Sequence, residues 1–219
     1  MCLPRQPFRI LFVCTGNMCR SPLAERLARA RLAAAVEGRA EAVAVEVESA
    51  GTHGVTGAPV HPDTAEILRE LGGDPEGFTA RALTKEMVGA ADLILTATRA
   101  HRDFVAATRP GAAARTFTIL EFCALARAVR PAAIARAADA GARARALTAA
   151  VAALRDGMNH RPSGGTGRHP GASRLDIPDP VGRPMAVQRA TAAAIAQALD
   201  VPLGLIAGAP LRFPRGGPP

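Results

Sequence analysis

Phe8-Arg9-Ile10-Leu11-Phe12-Val13-Cys14-Thr15-Gly16-Asn17-Met18-Cys19-Arg20-Ser21-Pro22 is the stretch that decides the fold. Its first six residues are short, apolar and rich in strand formers, the composition of a buried strand. The strand ends at Cys14, and Thr15-Gly16-Asn17 is a small polar turn. Ser21-Pro22 reads as an N-cap and first helical position. Ala24, Leu27, Ala28, Leu32 and Ala35 follow at helical spacing. The order is strand, tight loop, helix.

Working outward, Val43 to Ser49 alternates valines with residues that include Glu46 and Glu48, which suits a half-buried strand near a sheet edge. A loop through Gly51, Gly54, Gly57 and Pro59 leads to a helix over Pro62 to Leu71, stopped by Gly72-Gly73. Ala91 to Thr96 reads as a third strand, Arg115 to Leu120 as a fourth, and Met185 to Leu199 as a last helix. Alternation of this kind predicts an α/β fold with a mostly parallel sheet and helices on both faces. Ligands in such sheets sit at the carboxyl ends of strands, where Cys14 lies.

Two stretches break the alternation. Residues 124–175 are Ala/Arg-rich and then Gly/Ser/Pro-rich, and read as an insertion: a helical first half and a flexible linker over Arg161 to Arg174. Residues 205–219 read as a flexible Pro/Gly-rich tail, which leaves one domain over residues 1–204.

The chain has 219 residues and a formal net charge of +8. Aromatic residues make up 3 %, with no Trp or Tyr, which argues against modules that stack several bases on aromatic side chains. The charge is local. Residues 124–175 hold nine arginines and two aspartates, whereas residues 1–123 hold 14 basic and 14 acidic residues. Nucleic acid is therefore not the expected partner. The Arg-rich insertion points to an acidic partner, an anionic surface or a solubilising role, its arginines read as a solvated face or a disordered stretch. Cys2, Cys14, Cys19 and Cys123 are too few for a disulfide scaffold and lack CxxC spacing. His53, His61, His101, His160 and His169 show no metal spacing and read as structural or exposed. The longest early apolar run, Ile10 to Val13, is too short for a signal segment or a membrane span. The expected setting is the reducing cytoplasm.

The chemistry lies in Cys14 to Ser21. A helix N-terminus leaves backbone N–H groups free, and a loop of small residues entering it can turn more of them inward as an anion nest. Arg20 adds a planar fork of donors matched to two phosphate oxygens. A cysteine at the base of the nest is favoured as thiolate, and the Ser21 hydroxyl is placed to hydrogen-bond it. Gly16 and Asn17 are residue types that tolerate a left-handed backbone. Such a thiolate is set for in-line attack on phosphorus, giving a phosphocysteine that water hydrolyses, with no metal or cofactor required. Asp179, stiffened by Pro178 and Pro180, is the candidate acid for the leaving oxygen, with Asp176 as the alternative.

CTGNMCRSP after a strand, SAGT at Ser49 to Thr52, the strand through Leu93-Ile94-Leu95 and the late Asp179-Pro180 together resemble the low-molecular-weight protein tyrosine phosphatase family. The resemblance covers about Phe8 to Ile119 and Asp176 to Leu203. It implies a three-layer fold, a four-stranded parallel sheet flanked by helices, and phosphotyrosine proteins as substrates. It also implies Cys14 as nucleophile, Arg20 as phosphate binder and Asp179 as general acid. Thr15, Gly16, Asn17, Met18, Cys19 and Ser21 complete the binding loop. Ser49 resembles the serine that hydrogen-bonds the loop asparagine, and Cys19 the second cysteine that can form a disulfide with the nucleophile.

The chain departs from the pattern at three places. Phe78 stands where many members carry a histidine that bonds the loop asparagine. Val181 replaces the usual aromatic residue after Asp-Pro, and Ala97-Thr98 replace the usual Met-Asp. Competing readings are a protein-arginine phosphatase, disfavoured by Met18 where that branch tends to carry threonine; an arsenate reductase, disfavoured by the lack of a cysteine relay; and a phosphate-binding pseudoenzyme.

Overall fold

The structure, a computed structural model, describes residues 6–36, 45–159 and 175–208. Four parallel strands form one sheet in the order β2-β1-β3-β4: β1 Phe8–Cys14, β2 Val45–Gly51, β3 Leu93–Thr96 and β4 Thr116–Thr118. The helices are α1 Arg20–Val36, α2 Pro62–Glu70, α3 Lys85–Ala90, α4 Arg99–Thr108, α5 Ile119–Ala126, α6 Pro131–Ala135, α7 Ala140–Asn159 and α8 Met185–Ala207. The three-layer α/β fold expected from the alternation is present.

Central β1 alternates its side chains between two cores, as a pleated strand must. Phe8, Ile10 and Phe12 join Leu23, Leu27, Ile195, Leu199 and other residues of α1, α5, α7 and α8. Leu11 and Val13 join Val88, Ile94 and Val105 under α3 and α4. The strand order reverses between β1 and β3, so their carboxyl ends open a crevice there. Cys14 and Ala97 flank it.

Several element boundaries differ from the sequence reading: α1 begins at Arg20, which puts Ser21 inside the helix and not at its N-cap, and β2 runs on past Ser49 to Gly51. β4 stops at Thr118 because Thr118 is the N-cap of α5: its hydroxyl accepts the Glu121 N–H while the Glu121 carboxylate accepts the Thr118 N–H, a capping box that ends the strand. β3 starts at Leu93, since Ala91 caps α3 and the Asp92 carboxylate accepts the Arg9 N–H at 2.9 Å. α8 runs on through Ala207 to a left-handed Gly208, so the ordered chain passes residue 204, where the tail was expected to begin. Val43-Ala44, Arg161 to Arg174 and residues 209–219 lie outside the described residues.

The Ala/Arg-rich stretch is also more than an appendage. α7 lies against α8, α5 and β1, and its Ala144, Leu147 and Val151 are in the main core. Its arginines are not simply a solvated face. Arg143 is buried and donates to the Ile206 carbonyl at 2.7 Å, tying α7 to the end of α8. Arg155 donates to the Thr116 carbonyl and lies 4.0 Å over the Phe117 ring. Arg145 donates to the Gln6 carbonyl and reaches over Phe8. Arg127, Arg130 and Arg136, around α6, are exposed.

Candidate active site

The loop from Cys14 to Arg20 is pinned from outside by its carbonyls. Cys14 O accepts from Thr52 N at 2.9 Å, Thr15 O from His53 N at 2.9 Å, Gly16 O from Val55 N at 3.0 Å and Met18 O from His61 N at 2.9 Å. With the carbonyls turned outward to residues 52–61, the N–H groups of Thr15 to Cys19 have no backbone acceptor among the described residues. A curved row of such donors, running into the N-terminus of α1, is a cradle for an oxyanion. The tight fit of β2 against the loop requires Gly51: a Cβ there would lie 2.4 Å from the Thr15 carbonyl oxygen. Asn17 takes the left-handed turn, with φ of 56°; Gly16 does not, although the sequence offered both.

A buried chain of hydrogen bonds fixes the direction of each proton. Glu25 is 4 % exposed, and its carboxylate, an acceptor only, takes the Ser49 hydroxyl hydrogen at 2.6 Å. Ser49 Oγ therefore accepts from Asn17 Nδ2 at 2.8 Å. The other hydrogen of that amide goes to Ser21 Oγ at 2.9 Å. Ser21 accepts from Asn17, and its own hydrogen is left for Cys14 Sγ, 2.9 Å away. The directions make sulfur the acceptor. The histidine replaced by Phe78 is not needed to hold Asn17, because Asn17 Oδ1 accepts the Arg81 N–H at 2.9 Å. Phe78 instead lies under the Arg26 guanidinium.

Arg20 is 4 % exposed and held from two sides. Nη1 donates to the Ile177 carbonyl at 3.1 Å, and Nη2 donates to Thr15 Oγ1 at 3.3 Å and to Asp179 Oδ2 at 2.5 Å. Its Nε is buried with no partner among the described residues, a donor that an oxyanion can satisfy. The loop bearing Asp179 is tied to the end of β3 by Ile177 N to Ala97 O, 2.8 Å. Asp179 is half-exposed and its Oδ1 accepts the Val181 N–H. Asp176 is engaged elsewhere. Its carboxylate accepts from the Arg99 N–H at 2.8 Å and from the Arg99 guanidinium. Burial works to raise its pKa, but these bonds and the Arg99 and Arg102 charges outweigh it and hold Asp176 below the usual carboxylate value.

Cys19 is buried, and burial pushes its thiol up to about 11 against the lowering effect of a hydrogen bond with the Thr64 side chain. Cys14, Cys19 and Cys123 are free thiols. Met18 is half-buried and Thr15 exposed. Around the cradle stand exposed Val55 and Phe104, with the Phe104 ring 6.0 Å from that of His53, while Val181 is exposed next to the Asp179 loop. Glu25, Arg81 and His101 belong to this site and had no signal in the sequence. Each is drawn in by the order of the strands, not by a local motif.

A doubly wound parallel sheet with a Cys-x5-Arg cradle at the carboxyl end of its central strand defines an α/β protein built to hold an oxyanion such as a phosphoryl group. The family model for low molecular weight phosphotyrosine protein phosphatase matches residues 9–130, and the chain belongs to that family. It is 40% identical over 107 residues to the low molecular weight protein-tyrosine-phosphatase Etp of Escherichia coli K12, covering 49% of this chain and 66% of that protein. It is 36% identical over 116 residues to a protein-arginine-phosphatase of Geobacillus stearothermophilus, covering 53% of this chain and 72% of that one. Among solved structures, the YwlE arginine phosphatase from Geobacillus stearothermophilus superposes with a TM-score of 0.57 at 27% identity, over 89% of this chain and 90% of that chain.

Proposed function

We propose that this protein is a metal-independent phosphatase that hydrolyses phosphotyrosine in proteins through a phosphocysteine intermediate. The observation that carries the reading is the cradle itself: loop carbonyls pinned outward, Cys14 and Ser21 in contact at 2.9 Å, and a buried Arg20 at its edge. Backbone N–H groups and Arg20 hold the equatorial phosphoryl oxygens. Cys14 thiolate attacks phosphorus as the bond to the tyrosyl oxygen breaks, and protonated Asp179 gives its proton to that oxygen. Water then attacks the phosphocysteine, yielding its proton to the Asp179 carboxylate, and inorganic phosphate leaves with the thiolate restored. Before substrate enters, Asp179 rests on Arg20. A phosphoryl group competing for the same guanidinium frees the carboxyl to turn toward the leaving oxygen.

An aromatic leaving group fits the rim. Val181 offers less apolar surface than an aromatic residue would, but Val55, His53 and Phe104 supply it from the facing side. The second reading, a protein-arginine phosphatase, is favoured by the similarity to the relative of that name and opposed by Met18 in the cradle. Metal-free turnover on phosphotyrosine, phosphoarginine and phosphoserine peptides separates the two. The proposal expects the phosphotyrosine peptide to be preferred; dominant phosphoarginine turnover transfers the assignment, and turnover of none removes it.

The cytoplasm is the setting we infer, supported by the free cysteines. α8 is long and apolar enough to cross a membrane, yet 56% of its apolar window is buried in this fold. The exposed Arg127, Arg130 and Arg136 are the group that would meet an acidic partner.

A further inference from the structure

α4 makes no covalent link to the phosphate loop, yet it reaches into it through one side chain. His101 stands in the first turn of α4, 8 % exposed. Its Nδ1 lies 2.8 Å from the hydroxyl of Thr98, the helix N-cap, and its Nε2 lies 2.9 Å from the hydroxyl of Thr15, the residue after Cys14. Thr15 Oγ1 also accepts from Arg20 Nη2 at 3.3 Å.

The directions close into a line. A guanidinium only donates, so Thr15 Oγ1 accepts from Arg20. The Thr15 hydrogen is then free for Nε2, and Nδ1–H donates to Thr98. With the opposite tautomer, Nε2–H donates to Thr15 and Thr98 donates to Nδ1. Either way the Thr15 oxygen is held between an imidazole and the arginine that binds phosphate. A protonated ring would place a second cation beside Arg20, and burial opposes it further.

We propose that His101 is a positioning residue of the phosphate loop: a neutral imidazole that clamps the Thr15 hydroxyl against Arg20 and so fixes the guanidinium Nη2 and the first turn of the cradle for the phosphoryl group. The proposal rests on the reading of this loop as a phosphate site. It assigns α4, and through Thr98 the end of β3, a share in substrate binding.

A double-mutant cycle on kcat/KM for an aryl phosphate and on Ki for inorganic phosphate tests it. His101→Ala and Thr15→Val should each lower kcat/KM and raise the phosphate Ki by about 3- to 10-fold, the size of one net hydrogen bond. The double variant should be no worse than Thr15→Val alone, because both remove one link. His101→Gln, which can still donate to Thr15, should recover most of the loss. Losses that multiply in the double variant, or a His101→Ala enzyme within twofold of wild type on both measures, overturn the proposal. Should His101→Ala fail to fold, the imidazole nitrogen resonances of the wild-type protein give the answer. They should report one neutral ring at pH 7 that shifts on saturation with inorganic phosphate, and an unmoved His101 signal overturns the clamp. Wild-type protein that neither binds phosphate nor turns over aryl phosphate instead removes the phosphatase reading, a separate failure.

Discussion

Two aspartates stand three positions apart on the loop that leads into α8, and their partners differ. Asp176 is fastened to the backbone and guanidinium of Arg99, whereas Asp179 bonds Arg20 and the Val181 N–H among the described residues. Asp179→Ala should therefore slow hydrolysis by roughly 10²–10⁴, least for esters with good leaving groups. Asp176→Asn should loosen the loop and cost activity evenly across leaving groups. Rates over a series of substituted phenyl phosphates distinguish the two. His101 makes a second prediction. Burial and the Arg20 charge hold its pKa down to about 4, against the nearby Asp179 and Asp176 and with His53 adding to the lowering. The unfolded ring titrates near the usual 6.5, so unfolding takes up a proton between about pH 4 and 6.5. Stability is lost as pH falls through that window, and melting of His101→Gln should show a shallower pH slope there.

Among the elements, the end of β2 is the one the phosphate loop leans on. Gly51→Ala would drive a methyl group into the Thr15 carbonyl and to 2.9 Å from the Asn17 nitrogen. Both atoms are backbone, so nothing flexible can yield. The expected result is a phosphate Ki raised at least tenfold with a lower melting temperature, read by inhibition and calorimetry. This is also where legibility in sequence ends. Strand, loop and first helix could be read from Phe8 to Pro22 because their signals are local: an apolar run, small turn residues and a Ser-Pro start. Ser49 was legible only through a resemblance. Glu25, Arg81 and His101 were not legible, since nothing near them in sequence reveals that β2 and β3 flank β1 and bring them to Asn17, Ser49 and Thr15. β4 was read too long because the capping box at Thr118 competes with strand extension, and composition alone does not rank the two.

At the scale of the whole molecule, the arginines of the Ala/Arg-rich stretch fall into two groups among the described residues. Buried Arg143, half-buried Arg155 and exposed Arg145 are engaged with carbonyls or aromatic rings of the fold, while Arg127, Arg130 and Arg136 are exposed. The Ala/Arg-rich stretch was legible as helical but not as core, because alanine marks neither a buried nor an exposed face. Leu147 is fully buried on α7, so Leu147→Ala should destabilise the protein by about 2–5 kcal/mol, measured by denaturant unfolding. Removing residues 132–173 takes α7 with it and should abolish cooperative unfolding as well as activity. A truncated protein that still hydrolyses small aryl phosphates would return α7 to the status of an appendage.

The central claim is that Cys14 carries the phosphoryl group. Turnover of a radiolabelled phosphotyrosine peptide, quenched in denaturant and mapped by peptide mass, tests it most directly. The label should be found on the peptide containing Cys14, without added metal, and should vanish in Cys14→Ser together with turnover. Label on another residue, or a Cys14→Ser protein that keeps near wild-type turnover, would contradict the account.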